Sequence, residues 1–181
     1  MKQTERDRLL EGLAATGRLA QATRWGRLRR RPCRYLSATL FHRLVYPPRP
    51  AGWRRAATTF FGLPMELLLP AGTDIYLTGG KTHDSEIRLC RFLIRQLLPG
   101  DRFLDVGAHF GFYSLLAARL AGPTGQVLAL EAAPSTCELL AANLAQTPQA
   151  GFRLAAAAEQ DGEVEFYEFP PLYSEYNSLD A

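Results

Sequence analysis

The sequence has few cysteines and no long run of apolar residues. Its three cysteines, Cys33, Cys90 and Cys137, are far apart and odd in number. This spacing matches neither a metal site nor a disulfide framework, so a reducing compartment is expected. No stretch of 18 apolar residues occurs, and the charged segment 1–11 does not resemble a secretory signal. These absences predict a cytoplasmic protein.

The net charge is small but unevenly distributed. The whole chain carries +3, whereas residues 1–70 carry +10 and residues 71–181 carry −7. With the chain length, this asymmetry predicts a basic, mostly helical extension over 1–70 and an acidic catalytic domain over 71–181. A hydrophobic fraction of 47% is sufficient for a packed core.

Arginines are concentrated in the segment 24–34, beside Trp25 and Tyr35. They are Arg24, Arg27, Arg29, Arg30, Arg31 and Arg34. Arginines next to aromatic residues occur on surfaces that meet anionic lipid or nucleic acid. A solvated arginine-rich face gives the same pattern, and the sequence alone favours it. We therefore predict no specific nucleic-acid partner and only a weak membrane-surface contact.

The rest of the extension gives coarser predictions. Apolar spacing predicts helices within residues 9–20 and 25–44, the second interrupted at Pro32. The proline-rich segment 47–50 predicts a stiff linker. Residues 53–69 match no clear pattern as a whole, although a short strand is predicted at their end, at 67–69. A second short strand is predicted at 74–77.

From residue 85 onward, helical and extended patterns alternate. The predicted helices are 85–98, 113–121 and 134–145, and the predicted strands are 102–106, 126–131, 152–157 and, half-exposed, 163–166. Ser135 and Glu138 have the spacing of a capping box. Alternating strands and helices are typical of α/β folds. The sequence therefore predicts a partial Rossmann-like sheet of parallel strands with flanking helices, preceded by the helical extension.

The turn after the first of these strands carries the most information. Asp105 ends the strand, and Gly107 and Gly111 follow before the next helix. Gly107 lets the backbone turn tightly and approach a ligand without a Cβ in the way. Amide groups at the helix start are expected to hold an anion. Glu131 ends the second strand, 24 residues after Gly107, and is placed to accept two ribose hydroxyls.

The carboxylate beside the glycines indicates which ligand is expected. The glycine spacing does not match the dinucleotide fingerprint, and Asp105 would repel a pyrophosphate. The same carboxylate suits the ammonium and sulfonium groups of S-adenosylmethionine. The pattern therefore predicts S-adenosylmethionine as the cofactor and no metal. A tight turn without a ligand is the alternative.

Several motifs together resemble one known family. They are GGKTHDSE at 79–86, PGD at 99–101, the Asp105 loop and Glu131, and they are similar to FkbM-type methyltransferases over residues 71–181. This resemblance implies a class I methyltransferase fold, S-adenosylmethionine as cofactor, and a hydroxyl oxygen as methyl acceptor.

The resemblance also assigns cofactor contacts by position. Asp105, Gly107, Gly111 and Glu131 match the cofactor motif, and Glu86 matches a glutamate often found ahead of the first strand. His109 stands where the family more often has asparagine. The predicted cofactor-binding residues are Glu86, Asp105, Gly107, Ala108, His109, Gly111, Tyr113, Ser114 and Glu131.

The resemblance implies seven strands, whereas the alternation here stops after three. The chain is expected to be the amino-terminal half of an enzyme. Its sheet then has an uncovered apolar face, which additional polypeptide or a second copy of the chain would cover. A polar, aromatic loop near the end of the chain is a candidate lining for the site of a small-molecule or glycan acceptor, through Tyr173, Glu175, Tyr176 and Asn177, and no general base is identified. Two alternatives stay open: an inert cofactor-fold fragment, and a binding module whose basic tail contacts a membrane or nucleic acid.

Overall fold

A computed structural model describes residues 3–163 and 166–177. The chain forms two units, an amino-terminal unit built mainly from residues up to Arg95 and a carboxyl-terminal unit built mainly from Gln96 onward. The predicted boundary after residue 70 lies inside the amino-terminal unit. The assignment of 71–181 to one catalytic domain stays a prediction.

The amino-terminal unit begins with the predicted helices. They are α1 (Gln3–Gln21), α2 (Arg24–Arg30) and α3 (Pro32–Leu40), and one π-helical turn follows at Phe41–Val45. Pro32 is the first residue of α3, where its missing N–H is not needed and its fixed φ favours the helix. None of the helices in the described ranges is long and apolar enough to span a bilayer.

Helix α1 packs against α5 (Asp84–Gln96). The presence of α5 confirms the helix predicted at 85–98. Leu13 of α1 is buried in this unit. The Arg6 guanidinium donates hydrogen bonds to the carbonyl oxygens of Ile94 and Arg95, at 2.8 and 2.7 Å. A cation at the last carbonyls of a helix satisfies acceptors that have no partner within the helix.

Residues 53–69 form a hairpin, which confirms the short strand predicted at 67–69. Strands β1 (Trp53–Thr58) and β2 (Pro64–Leu69) pair antiparallel, and α4 (Thr73–Thr78) follows. The strand predicted at 74–77 is therefore wrong. Only three residues of this stretch, 75–77, are apolar, and so short a run does not distinguish helix from strand. Gly79, at φ 86°, ends the helix in the left-handed conformation.

The tail of the chain returns to the amino-terminal unit. Residues Pro170–Leu172 belong to this unit, whereas the residues on either side belong to the other. Their contact is specific, because the Leu172 N–H donates a hydrogen bond to the buried Tyr46 hydroxyl at 3.0 Å.

The carboxyl-terminal unit has the predicted α/β architecture. Strands β3 (Arg102–Val106), β4 (Gln126–Glu131) and β5 (Ala150–Leu154) form a parallel sheet in the order β3-β4-β5. Helices α6 (Phe112–Ala121) and α7 (Pro134–Leu144) connect them. Because parallel neighbours need crossover connections, this alternation produces the Rossmann-like arrangement.

The two faces of this sheet differ in burial. Ala117 and Ala118 of α6 pack with Val127 of β4 on one face. Successive residues of a strand point to opposite faces, so Leu104, Val106 and Leu128 lie on the other. Their exposed fractions are 57%, 55% and 38%. The sheet thus presents an apolar face to solvent.

Two finer predictions for this unit have different outcomes. The capping box is wrong, because α7 begins at Pro134 and Ser135 lies inside the helix. The Ser135 N–H and hydroxyl instead donate to the Glu168 carboxylate, each at 3.2 Å. The strand predicted at 163–166 includes residues 164 and 165, which lie outside the described residues.

Candidate functional site

The site begins at the carboxyl end of β3, where Asp105 joins the strand to helix α6. The Ser114 hydroxyl donates to the Asp105 carboxylate at 2.5 Å, and the Ser114 backbone N–H also bonds to it. Asp105 therefore satisfies donors of the first turn of α6, where a negative charge is favoured by the helix dipole.

The ionisation of Asp105 reflects opposing effects. Burial raises the pKa of this carboxyl above its ordinary value and outweighs the two hydrogen bonds from Ser114, which lower it. The charge of Glu131 raises the pKa of Asp105 further. Two carboxylates thus influence each other at the ends of neighbouring strands.

Glu131 fixes the glycine loop to the end of β4. Its side chain is 7% exposed. Oε2 accepts a hydrogen bond from the His109 N–H at 2.7 Å, and Oε1 accepts one from the Ala133 N–H at 2.9 Å. A carboxylate offers about four lone-pair sites, so each oxygen can accept one more donor.

The backbone of the loop is bound to the same strand. The amides of Gly107 and Ala108 both donate to the Leu130 carbonyl, at 2.9 and 3.0 Å. With the His109 amide on Glu131, three consecutive loop amides already have acceptors within the protein. These three amides precede helix α6, so they are not the helix-start amides that are expected to hold a ligand anion. They fix the loop over the strand ends.

The two glycines of the loop are required for different reasons. Gly107 has φ 75°, and a Cβ built on it would meet no atom within 4 Å. Gly111 has φ 84°, and its Cβ would lie 2.7 Å from Leu140 Cδ1. Gly111 is therefore required by packing as well as by backbone conformation. Gly107 faces open space, where a ligand can approach the backbone.

His109 has an uncommon conformation for a residue with a side chain, at φ 51°. Its ring lies against Phe110, with 3.7 Å between the ring centroids. Its Nε2 lies 2.9 Å from the Ser174 hydroxyl, in the 3₁₀ helix Pro171–Tyr176. The ring is thus held between its neighbour and a segment 65 residues further along the chain.

Sequence reasoning missed two residues that support the loop. Ser174 was not singled out, although it lies within the polar segment 173–177. Asn143 of α7 is buried, and its side-chain N–H donates to the Phe110 carbonyl at 2.8 Å. An amide side chain among the mostly apolar residues of α7 was the available signal, since such groups require hydrogen-bond partners when buried.

The structure brings most of the predicted site residues into one unit. Tyr113 lies in the first turn of α6, with its ring 5.4 Å from that of Phe112. Glu86 belongs to the amino-terminal unit, where its carboxylate lies 3.4 Å from the Lys81 ammonium. The cofactor contacts assigned from the sequence, including that of Glu86, stay predictions.

The electrostatic character of the site is negative. The charge of Glu131 raises the pKa of both Asp105 and Cys137, although burial is the larger cause in each case. Within the described part of the chain, no group of three His, Cys, Asp or Glu residues is arranged to hold a metal ion. This environment favours a cationic ligand over a phosphate.

Comparisons with known proteins give partial matches. No model of a protein family matches the chain. A protein-L-isoaspartate O-methyltransferase from Aeropyrum pernix is 43% identical over 53 residues, which are 29% of this chain and 20% of that protein. The match thus spans about a fifth of that relative's length.

Two solved structures also match in part. Fibrillarin from Aeropyrum pernix, with natively bound S-adenosyl-L-methionine, is 23% identical, with a TM-score of 0.32. This match covers 33% of the present chain and 26% of the fibrillarin chain. An S-adenosylmethionine-dependent O-methyltransferase from Thermotoga maritima is 20% identical, with a TM-score of 0.39. This match covers 61% of the present chain and 43% of the Thermotoga chain. None of these matches identifies the FkbM-type family, and that resemblance stays a prediction.

Proposed function

We propose that the protein is an S-adenosylmethionine-dependent methyltransferase that methylates an oxygen atom. One observation carries the proposal: Asp105 and Glu131 lie at the carboxyl ends of neighbouring parallel strands, beside the glycine loop whose backbone is open at Gly107. Ligands of open α/β sheets bind at the carboxyl ends of the strands. The local identity of 43% to an O-methyltransferase supports the same reaction class.

The residues of the site fit this cofactor. Glu131 has acceptor capacity left for ribose hydroxyls beyond its bonds to His109 and Ala133. The combined negative charge of Asp105 and Glu131 favours the cationic methionine end, whereas it would repel a pyrophosphate. Gly107 leaves room for the ligand beside its backbone.

The chemistry divides between cofactor and protein. Bound S-adenosylmethionine supplies an electrophilic methyl group on a positively charged sulfur. The chain's own contribution is alignment, because Glu131 and the loop amides hold the backbone at the strand ends in one geometry. Such positioning accounts for a large share of the rate of a bimolecular reaction. We assign no general base.

We further propose that the acceptor is a hydroxyl group of a small molecule or glycan. The relative's printed name indicates transfer to oxygen, and the resemblance noted in the sequence indicates a hydroxyl. The cytoplasm is the proposed compartment, which the three free thiols of Cys33, Cys90 and Cys137 support.

Calorimetric titration with S-adenosylmethionine tests the cofactor assignment. Gly107→Ala places a methyl group in the proposed approach path, and we expect at least tenfold weaker binding. Gly122→Ala is the matched control, because Gly122 also has a positive φ and open space around its Cβ in the same unit. Equal loss in both variants, or no binding by the wild type, would contradict the proposal.

The reaction class requires a second experiment. The protein is incubated with methyl-labelled S-adenosylmethionine and a panel of hydroxylated small molecules and glycans. The panel contains no amines or thiols, so label that survives alkali identifies an ether formed at a hydroxyl, whereas alkali-labile label identifies a methyl ester and overturns the hydroxyl assignment. Binding without transfer to any acceptor favours the alternative of an inert cofactor-fold module.

A further inference from the structure

The amino-terminal unit contains a long segment without negative charge. No aspartate or glutamate occurs between Glu11 and Glu66, whereas eleven arginines do. The arginine charges of α2, α3 and the π-helical turn therefore have no carboxylate close to them in the sequence that could neutralise them. Such a segment has a strongly positive potential.

The structure separates the arginines of this segment into two groups. Arg27 donates to the carbonyl oxygens of Ala20 and Ala22 at the end of α1, at 3.1 and 3.0 Å. Arg34 donates to the Tyr76 carbonyl at 3.2 Å, and its guanidinium lies over the Tyr76 ring. These two arginines have structural roles within the unit.

Several of the other arginines face solvent. Arg24, Arg29 and Arg30 of α2 and Arg43 of the π-helical turn are exposed. Burial and the charge of Arg34 lower the pKa of the half-buried Arg31, which is consistent with crowding of like charges. The set of six arginines chosen from the sequence thus reduces to Arg24, Arg29 and Arg30, with Arg43 added.

Large apolar side chains are exposed on the same helices. Trp25 of α2 is 75% exposed, and Leu36, Leu40 and Leu44 are 50%, 54% and 66% exposed. These three leucines are spaced four residues apart, so they share one side of α3 and its π-helical extension. We call this set of exposed arginines, leucines and Trp25 the α2–α3 surface.

We propose that the α2–α3 surface binds a bilayer of anionic phospholipid, lying in the interface without crossing it. Exposed tryptophan and leucine side chains insert at the boundary of headgroups and acyl chains, while arginines contact the anionic headgroups. This proposal is independent of the cofactor site.

The leucines distinguish lipid from nucleic acid. Both partners attract the arginines, and a nucleic-acid base also stacks on an exposed tryptophan. A row of aliphatic side chains gains nothing from a phosphate backbone, whereas it is buried favourably in the acyl region of a bilayer. Charge and apolar exposure together therefore favour the lipid surface.

Vesicle sedimentation with the full chain tests the proposal. We expect binding to mixed phosphatidylcholine–phosphatidylglycerol vesicles, weakened by salt, and no binding to phosphatidylcholine alone. Each surface arginine contributes about fivefold to partitioning, so Arg29→Glu with Arg30→Glu is expected to weaken binding about 25-fold or more. The matched control is Arg88→Glu with Arg91→Glu on the exposed side of α5, which changes net charge equally.

The apolar contribution is tested separately. Leu40→Ser with Leu44→Ser retains every charge and is expected to weaken vesicle binding at least tenfold. In Trp53→Phe, Trp25 is the remaining tryptophan, and its emission is expected to shift to the blue on vesicles. Circular dichroism confirms that each variant is folded.

Three results would overturn the proposal. The first is equal loss of binding in the α2 and α5 charge variants, which would indicate an effect of net charge alone. The second is unchanged vesicle binding by the leucine variant. The third is tighter binding to duplex DNA than to anionic vesicles at the same salt concentration, which would identify nucleic acid as the partner.

Discussion

The hydroxyl of Ser114 lies 2.5 Å from the carboxylate of Asp105, so a residue near the end of strand β3 also satisfies donors in the first turn of helix α6. One carboxylate thereby links the two elements that form the glycine turn. Because both ends of the turn are fixed, the backbone at Gly107 keeps its position and is accessible to a ligand.

Removal of the serine hydroxyl should loosen this link. Ser114→Ala leaves a half-buried carboxylate with one donor fewer, and we expect a loss of about 1–3 kcal/mol in the free energy of unfolding. Chemical denaturation measures it. Ser135→Ala is the control, because that hydroxyl bonds an exposed carboxylate at 3.2 Å and its loss should cost little. Equal effects would contradict the capping role.

Stability should depend on the protonation of Asp105. The pKa of this carboxyl is raised in the folded protein, so the folded state binds its proton more tightly than the unfolded state does. The free energy of unfolding should therefore fall as pH rises from the ordinary aspartate pKa of about 3.9 to the raised value. Above that pH window Asp105 is ionised in both states, and its ionisation lowers the free energy of unfolding by a constant amount.

Asp105→Asn isolates this contribution. The other carboxyl groups titrate in both proteins, so the difference between the two stability curves reports Asp105. We expect the wild type to lose stability relative to the variant as pH rises through the window. Denaturation at a series of pH values measures this, and parallel curves would show that the pKa of Asp105 is not raised on folding.

Glu131 should contribute to cofactor affinity through its charge. Glu131→Gln keeps the shape of the side chain but places donors where Oε1 or Oε2 accepts bonds. We expect S-adenosylmethionine binding to weaken by about 1–3 kcal/mol. Calorimetry measures the change, with the exposed Glu159→Gln as control. Unchanged affinity would contradict the ribose assignment.

The second glycine should matter for packing. Gly111→Ala combines a positive φ with a Cβ 2.7 Å from Leu140 Cδ1, and we expect a destabilisation of about 1–3 kcal/mol. Adding Leu140→Ala removes the clash, so the two effects should be less than additive in a double-mutant cycle. Gly151→Ala, which meets open space, is the control. Strict additivity would place the cost in the backbone alone.

The elements of the sheet could be predicted well because their signals are local. Strands β3 and β4 have the predicted bounds, since each is a short, largely apolar run with an acid in one of its last two positions. Helix α4 was missed because six residues are too few to show a helical period. The loop's supports at Asn143 and Ser174 depend on contacts between residues 33 and 65 positions apart, which no local pattern records.

The return of Pro170–Leu172 to the amino-terminal unit affects how the protein can be dissected. A single cut after Arg95 gives an amino-terminal fragment that lacks three of its own residues, including the donor to Tyr46. The complementary fragment carries those residues without their acceptor. Expression of either unit by simple truncation therefore breaks a native contact, and co-expression of the two pieces is the sounder route to complementation experiments.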